Sequence, residues 1–224
     1  MKVGNCPYNA PDDLPAVIPV FPLPAALLLP RAELPLNIFE PRYVAMVDTA
    51  LAGHRVIGMI QPDEDRAPGS LGPMLCKVGC AGRLTSFAET GDGRYMVTLT
   101  GISRFAVIEE LPATTLFRQC RVSADSFAGD FAGAGSEREV DRGSVLKTFR
   151  DYLEAHNLEA DWDSVTRASN ETLVNTLAMM APFGTAEKQA LLEAPDLRAR
   201  AETLVALTEM TLARQGGGTS RSLQ

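Results

Sequence analysis

Residues 75–108 read LCKVGCAGRLTSFAETGDGRYMVTLTGISRFAVI, two long runs rich in apolar residues on either side of a short turn. Asp92-Gly93 supplies the positive φ angles that a tight hairpin demands. We therefore predict an antiparallel hairpin, formed by residues 75–87 and 95–108, within a closed or nearly closed barrel. Gly101 inside the second run predicts a bulge or bend of the kind that small barrels need at their corners.

Shorter apolar runs flank the hairpin and are predicted as further strands, over residues 18–23, 34–39, 56–60 and 115–122. Prolines interrupt the first run, and because proline cannot donate to a sheet ladder we predict an edge strand there. Residues 25–29 form one more short apolar run. Pro41 suits the first position of a helix, and Gly53 is a typical helix stop, so a helix is predicted between them.

The composition changes at residues 124–135, where glycine and other small residues dominate. Ser136 and Glu139 have the Ser-x-x-Glu spacing of a capping box, which predicts a helix start. Four helical runs are predicted after it, over residues 145–156, 171–181, 186–193 and 195–213. The predicted division is a β-rich subdomain at 1–129, a helical subdomain at 130–215 and a disordered tail at 216–224.

The charge and apolar content restrict the classes of partner. The 224 residues carry 21 basic and 28 acidic side chains, a formal net charge of −7. Binding to a nucleic-acid backbone needs clustered Lys and Arg, and no run here has that density, so nucleic-acid binding is disfavoured. No apolar stretch approaches the roughly 18 residues of a membrane span, so no membrane association is expected.

The N-terminus lacks an apolar secretory segment. Four scattered cysteines are too few for a disulfide scaffold of this length, so a cytoplasmic location is expected. They are also a poor metal site, because structural zinc ligands come as paired short spacings and only Cys76 and Cys80 are close in sequence to each other. The acidic run Asp63-Glu64-Asp65 lacks the regular oxygen spacing of a hard-cation site. No metal and no cofactor are predicted.

No catalytic residue is predicted either. The two histidines, His54 and His156, have no serine or cysteine placed near them by a recognisable nucleophile motif. Each follows or ends a predicted helix, where a cation is ordinarily found. Glu40 and Arg42 flank Pro41 at a strand-to-helix corner and can be interpreted as a ligand contact or as a pair that fixes the corner.

Several of these segments, in this order, resemble the N-terminal substrate-recognition domain of Lon proteases. The opening signatures are IPVFPL at 18–23 and LNIFEPRY at 36–43, of which Phe39-Glu40-Pro41-Arg42-Tyr43 is the most specific piece. The later ones are Val78-Gly79, residues 92–99, residues 101–105 and KQALLE at 188–193. The resemblance runs from about residue 18 to about residue 211.

The resemblance implies an α+β fold, with a PUA-like, six-stranded β pseudo-barrel followed by a C-terminal helical bundle. It also implies a bacterial-type ATP-dependent protease La domain that recognises unfolded or tagged polypeptides, or partner proteins. No Gly-x-x-x-x-Gly-Lys-[Ser/Thr] phosphate loop occurs in this sequence, so ATP-dependent proteolysis is not carried over. A non-catalytic recognition module is the expected function.

The run Leu27-Leu28-Leu29 suggests where a polypeptide could bind. Because side chains alternate along a strand, three consecutive leucines cannot all face one side. They are therefore buried under the helical half or exposed as part of an apolar patch. On the second interpretation, an apolar groove binds partner polypeptide through Leu27, Leu28, Leu29, Leu34 and Leu36.

The alternative function is that of an RNA-binding PUA-like protein. Five arginines fall on strands predicted to be neighbours and could converge: Arg83, Arg94, Arg104, Arg118 and Arg121. Nearby carboxylates would offset their charge: Glu89, Asp92, Glu109 and Glu110. An exposed apolar groove favours the first function and a convergent arginine cluster favours the second.

Overall fold

Eight strands, six α-helices and two 3-10 helices, at Pro11–Asp13 and Asp125–Phe131, follow one another along the chain in the computed structural model, which describes residues 1–69, 72–132, 139–156 and 158–218. The strands are β1 Lys2–Val3, β2 Cys6–Pro7, β3 Val17–Pro22, β4 Glu33–Ile38, β5 Val56–Pro62, β6 Leu75–Glu89, β7 Tyr95–Glu110 and β8 Arg118–Ser123. The helices are α1 Pro41–Ala52, α2 Arg142–His156, α3 Trp162–Arg167, α4 Asn170–Met180, α5 Thr185–Glu193 and α6 Leu197–Gly218. Two units are distinguished: a barrel unit, Met1–Gly133 with Pro182–Leu192, and a helical unit, Ala134–Ala181 with Glu193–Gln224.

Strand pairing closes a five-stranded barrel in the barrel unit. The sheet order is β4-β7-β6-β5-β3-β8, and β8 also pairs with β7, which closes the ring. The parallel pair is β3 with β5, and the other pairs of this sheet are antiparallel. The predicted α+β class and barrel are therefore confirmed. Five strands close the ring, while the sixth, β4, is added to its outside on β7.

The predicted hairpin is confirmed as the antiparallel pair β6–β7. The predicted irregularity at Gly101 is also present, because the register moves from Ala81 opposite Ser103 to Gly82 opposite Gly101. A side chain at Gly101 could not be accommodated, since its Cβ would lie 2.0 Å from the carbonyl oxygen of Leu29. The bulge therefore coincides with a close approach of two backbone segments.

The prediction that residues 18–23 form an edge strand is wrong, because β3 lies between β5 and β8. Its pairing explains why prolines are tolerated there. Residues 17–20 pair with β8 and residues 20–22 pair with β5, so Val20 alone has a paired neighbour on both sides. Most of the strand therefore needs backbone hydrogen bonds on one side at a time, and a proline nitrogen can face the other.

Glycines make room for a large side chain at the centre of the barrel. Phe105 is fully buried in a core with Ile18, Ile60 and Ile102. A Cβ at Gly79 would lie 2.5 Å from the Phe105 ring and 2.6 Å from the carbonyl oxygen of Met59. Phe105 thus fills space that a side chain on the neighbouring strand would need. The Val78-Gly79 signature has this packing role.

Helix α1 has the predicted bounds, from Pro41 to a C-cap at Gly53. The Gly53 N–H donates to the carbonyl of Ala50, which ends the helix. On the buried face, Tyr43 packs its ring 4.1 Å from that of Phe21 in β3. Burial of this apolar face holds α1 on the barrel.

Helix α5 lies with the barrel unit, although the predicted division placed it in the helical part. The Gln189 side-chain amide donates to the carbonyl of Val78 at 3.1 Å, and Thr185 Oγ1 donates to Glu64 at 3.1 Å. These contacts join α5 to β6 and to the loop after β5. The division after residue 129 itself stays a prediction.

The helical unit contains the predicted helices α2, α4 and α6 and a short one, α3, that was not predicted. Asp161 caps α3 by accepting from the N–H groups of Asp163 and Ser164, a signal that was present in the sequence. At the start of α2, Arg142 donates to Asn170 at 2.8 Å. The capping box predicted at 136–139 lies mostly outside the described residues.

Helix α6 continues through residues 216–218, which were predicted to begin a disordered tail, and residues 219–224 lie outside the described part. In the described part of the chain, none of the helices combines the length and apolar character needed to span a membrane.

Candidate functional site

The structure does not place Leu27, Leu28 and Leu29 along a surface groove. They are 2%, 1% and 0% exposed, so all three belong to the core. Residues 26–29 form no strand, and the alternation argument therefore does not apply to them. Leu28 occupies the space over Gly82, where a Cβ would lie 2.6 Å from its Cδ2. The missing side chains on β6 and β7 create the space that this segment fills.

Leu34 and Leu36 lie elsewhere, in β4, and are half-buried. They stand opposite Leu99 and Val97 of β7, which are buried. The predicted set is thus split, with three leucines in the core and two on the strand outside the barrel. Partner binding stays a prediction for these last two.

The outer strand β4, the segment of β7 that pairs with it and the adjoining segment of β6 form what we call the β4 surface: β4 with residues 95–100 of β7 and 83–89 of β6. Within the described residues, β4 pairs with β7 alone, so its other edge is free. A free edge presents unpaired backbone N–H and C=O groups and can accept a further strand. Strand addition is therefore geometrically possible here.

Backbone hydrogen bonding identifies which groups of β4 face the free edge. The Gly101 N–H donates to the carbonyl of Ala32 at 2.8 Å, one step before β4 begins. Hydrogen-bonded positions in an antiparallel pair recur every second residue, so the even-numbered residues of β4 direct their backbone groups to β7. The free edge then carries the N–H groups of Glu33 and Asn37, and Pro35 occupies the position between them, where its missing N–H costs the barrel nothing.

Exposed apolar side chains gather at the end of this surface. Phe39 is 61% exposed directly after β4, and Met96 is 47% exposed opposite Asn37. Phe87 packs against Tyr95 with ring centroids 4.9 Å apart and remains partly exposed. These side chains offer an apolar contact next to the free backbone edge.

Acidic groups surround the β4 surface. Glu33 and Glu89 form no ion pair among the described residues. Asp48 accepts a hydrogen bond from the Tyr95 hydroxyl at 3.0 Å, and this bond raises the pKa of Tyr95. Glu40 is paired with Arg42 at 2.8 Å, which is the corner-fixing arrangement. The carboxylates of Glu33, Glu89 and Asp48 at this surface are therefore not engaged in ion pairs among the described residues.

The five arginines that could have formed a nucleic-acid interface are each engaged within the barrel unit. Four pair with carboxylates: Arg94 with Asp92, Arg104 with Asp130, Arg118 with Glu110 and Arg121 with Glu109. Arg83 donates to the Tyr8 hydroxyl at 3.1 Å and to the carbonyl of His54 at 2.9 Å. Their charge is therefore largely compensated, and they do not form a free basic cluster.

The other candidate residues are dispersed. Across the described residues, no three His, Cys, Asp or Glu side chains come together in a group that could hold a metal ion. Cys80 is buried and Cys76 is half-buried, while His156 packs on Tyr152 with ring centroids 4.2 Å apart. In the acidic run, Glu64 is bonded to Thr185 of α5.

Comparison with known proteins identifies relatives over nearly the whole chain. The family model described as the ATP-dependent protease La (LON) substrate-binding domain matches residues 17–209. Lon protease 2 of Myxococcus xanthus is 27% identical over 203 residues, covering 88% of this chain and 24% of that protein. Lon protease of Syntrophus aciditrophicus is 24% identical over 207 residues, covering 89% and 25%. The chain thus spans about a quarter of the length of these relatives.

Solved structures share the fold. A Lon N-terminal domain protein from Xanthomonas campestris superposes with a TM-score of 0.58 at 22% identity, covering 85% of this chain and 97% of that one. The N-terminal domain of Mycobacterium avium complex Lon protease gives a TM-score of 0.57 at 18% identity, covering 86% and 98%. At these identities the comparison establishes the fold alone.

The family match begins at the first residue of β3 and ends within α6, so it includes the barrel, β4 and the helices. The ordered signatures at residues 18–23, 36–43 and 188–193 fall inside it. The resemblance found in the sequence is confirmed: the chain belongs to the ATP-dependent protease La (LON) substrate-binding domain family.

Proposed function

We propose that this protein recognises polypeptide segments in an extended conformation, which add to the free edge of β4 as a further strand. The observation that carries the proposal is the unpaired edge of β4 beside exposed Phe39 and Met96. Backbone hydrogen bonds supply affinity in such strand addition, and neighbouring apolar contacts supply preference for apolar side chains. The family description, a substrate-binding domain, supports a polypeptide ligand.

Because Pro35 has no N–H, binding to this edge is weaker and more readily reversed than binding to a continuous edge. A guest strand finds donors at Glu33 and Asn37 but none between them, so the ladder has a gap. A continuous edge would also pair with a second copy of the chain, and proline on an edge strand opposes that. Half-buried Leu34 and Leu36 form the apolar margin of the same strand. We propose that they contact the bound segment.

Replacing Asn37 with proline tests the proposal. The change removes a second N–H from the free edge and none from the β4–β7 ladder, and the extended backbone of Leu36 before it is the conformation that a following proline requires. We expect N37P to weaken binding of reduced, carboxymethylated α-lactalbumin about 2- to 12-fold, the equivalent of one net hydrogen bond. Fluorescence anisotropy of the labelled ligand measures the change.

The matched control is Asn37→Ala, which removes the same side chain but keeps the N–H. N37A should bind like the parent protein, and thermal melts of both variants should stay within a few degrees of the parent. Equal binding by N37P and the parent would contradict strand addition at this edge. Binding of single-stranded RNA in place of the unfolded protein would support the alternative function, which the paired arginines do not favour.

We infer further that the chain binds without turning over its ligand. The matched family model describes a substrate-binding domain, and the sequence contains neither a phosphate-binding loop nor a recognisable nucleophile–base motif. Recognition is the activity that the β4 surface supports.

A further inference from the structure

A second candidate site lies within the helical unit and does not depend on the β4 surface. A pocket of about 280 Å³ opens between α2, α4, α6 and the segment 158–160. Its walls are almost entirely apolar, with Phe149 and Leu153 from α2, Leu177 from α4 and Leu204 from α6. Met180 and Leu158 line it and are largely exposed, so the apolar surface continues to the mouth.

A polar compartment continues from this pocket. It is lined by Arg150, Glu154 and Trp162 and shares four residues with the apolar pocket: Leu153, Leu158, Glu159 and Ala160. The Arg150 guanidinium lies over the Trp162 ring, 4.8 Å from its centroid. The two compartments therefore form one trough, apolar at one end and charged at the other.

The charge of the trough favours a cation. Glu154 and Glu159 both line the polar compartment, and neither forms an ion pair among the described residues. Among the described residues, the basic group that lines it is that of Arg150, which is stacked on the indole of Trp162. Two carboxylates against one stacked guanidinium leave a net negative rim, and its potential attracts a positive group to the end of the apolar pocket.

The size of the apolar pocket limits what can enter it. A dry cavity of about 150 Å³ lined by similar side chains accommodates benzene. A pocket roughly twice as large therefore accepts one phenyl, indole or large aliphatic group, and is smaller than typical sites of about 300–1,000 Å³ for drug-sized ligands. Methionine at the mouth adapts to different apolar shapes because its side chain is unbranched and flexible.

We propose that this trough binds a bulky apolar side chain of a polypeptide that carries a basic residue beside it. The apolar side chain enters between α2, α4 and α6, and the basic side chain meets Glu154 and Glu159. The site thus selects a pairing of hydrophobicity with positive charge, whereas the β4 surface binds an extended backbone. The proposal for the trough does not depend on the proposed strand addition at β4.

Trp162 provides the readout, because it is the one tryptophan of the sequence and its ring lies 5.9 Å from that of Phe149, which lines the apolar pocket. The probes are the blocked tripeptides Ac-Lys-Phe-Lys-NH2, Ac-Lys-Ala-Lys-NH2 and Ac-Glu-Phe-Glu-NH2, which are too short to form a strand ladder. We expect a saturable change in Trp162 emission with the first peptide, and an affinity at least fivefold weaker for the other two. Equal responses to all three peptides would overturn the proposal.

Variants of the full chain locate the binding. Ala160→Phe places a ring in the shared wall of the trough and should weaken Lys-Phe-Lys binding at least tenfold. Met180→Ser should weaken it severalfold, whereas the matched control Met210→Ser, a largely exposed methionine of α6 outside the lining, should not. Glu159→Gln keeps the shape and should remove most of the preference for Lys over Glu peptides. Unchanged binding in both A160F and E159Q would contradict the proposed site.

Testing each variant with the ligand of the other site distinguishes the two proposals. N37P should leave tripeptide binding in the trough unchanged, and E159Q should leave strand addition at β4 unchanged. If A160F, in which the trough is blocked, binds α-lactalbumin equally with and without N37P while E159Q loses the charge preference, the β4 proposal fails and the trough proposal survives.

Discussion

Arg104 ties β7 to the segment after β8. Its backbone N–H, Nε and Nη2 donate to the carboxylate of Asp130 at 2.8–2.9 Å, and Nη1 donates to the carbonyl of Leu192 at 3.3 Å. Both charged side chains are buried, and the guanidinium also lies over the Phe127 ring. Breaking such a pair from one side leaves a buried charge uncompensated, which is why this arginine is structural rather than available to a ligand.

Lys188 of α5 gives a prediction at the same scale. Burial lowers its pKa from 10.5 to about 8. Between pH 8 and 10.5 the unfolded chain therefore holds a proton that the folded chain has released, so this residue makes stability rise with pH in that window. Lys188→Met removes the titration. We expect the unfolding free energy of the variant, relative to that of the parent, to be highest at pH 7 and to fall toward pH 10.

Urea denaturation at pH 7, 8, 9 and 10 measures this difference, and other titrating groups cancel because they are common to both proteins. The control is Lys147→Met, whose exposed lysine has a pKa raised by its hydrogen bond to Asp151. The difference in unfolding free energy between K147M and the parent should not shrink between pH 7 and pH 10. A pH-independent difference for K188M would contradict a lysine with a lowered pKa.

Elements bounded by local signals were predictable, and elements placed by distant partners were not. Asp92-Gly93 and the Pro41 to Gly53 interval determine a hairpin and a helix within a few residues, and both are present. The burial of Leu28 and Leu29 depends on Gly82 and Gly101, more than fifty residues away. Alternation along an assumed strand could not reveal that fit, so three of the five leucines assigned to the candidate groove, Leu27, Leu28 and Leu29, lie in the core instead.

The free edge of β4 gives the prediction at the element scale. Pro35→Thr adds an N–H at the gap in the edge and a residue that favours strands. We expect the affinity for unfolded α-lactalbumin to rise about 2- to 12-fold, the reverse of N37P. Anisotropy titration measures it. Self-association should increase in sedimentation velocity, because a continuous edge pairs more readily with a second copy. A weaker affinity with unchanged folding would argue against the edge as the binding site.

At the scale of the whole molecule, the signatures in the sequence predict the family and the order of barrel before helices, but they do not predict the place of α5. That helix follows α4 in the chain and yet belongs with the barrel, through contacts such as Gln189 with Val78. Such a return depends on a few long-range hydrogen bonds that leave no periodic trace in the sequence. The trough in the helical unit was missed for a similar reason, because its walls come from three separated helices.

Binding without turnover is the prediction for the molecule as a whole. The purified chain should hydrolyse neither ATP nor fluorescein-labelled casein above the rate of a mock purification. The physical reason is that the sequence lacks a phosphate-cradling loop and a recognisable nucleophile with its base. Turnover that coelutes with the chain through successive columns and persists at constant specific activity would contradict it.

Strand β7 is shared between the closed barrel and the β4 surface, pairing with β6, β8 and β4. A segment bound along β4 and pulled lengthwise would therefore load its backbone hydrogen bonds in shear, all of them at once, against strands anchored in a closed ring. The same segment lifted sideways would lose these bonds one after another, as in unzipping. The force needed to release a bound segment would then depend on its direction. It would be high along the strand and low perpendicular to it.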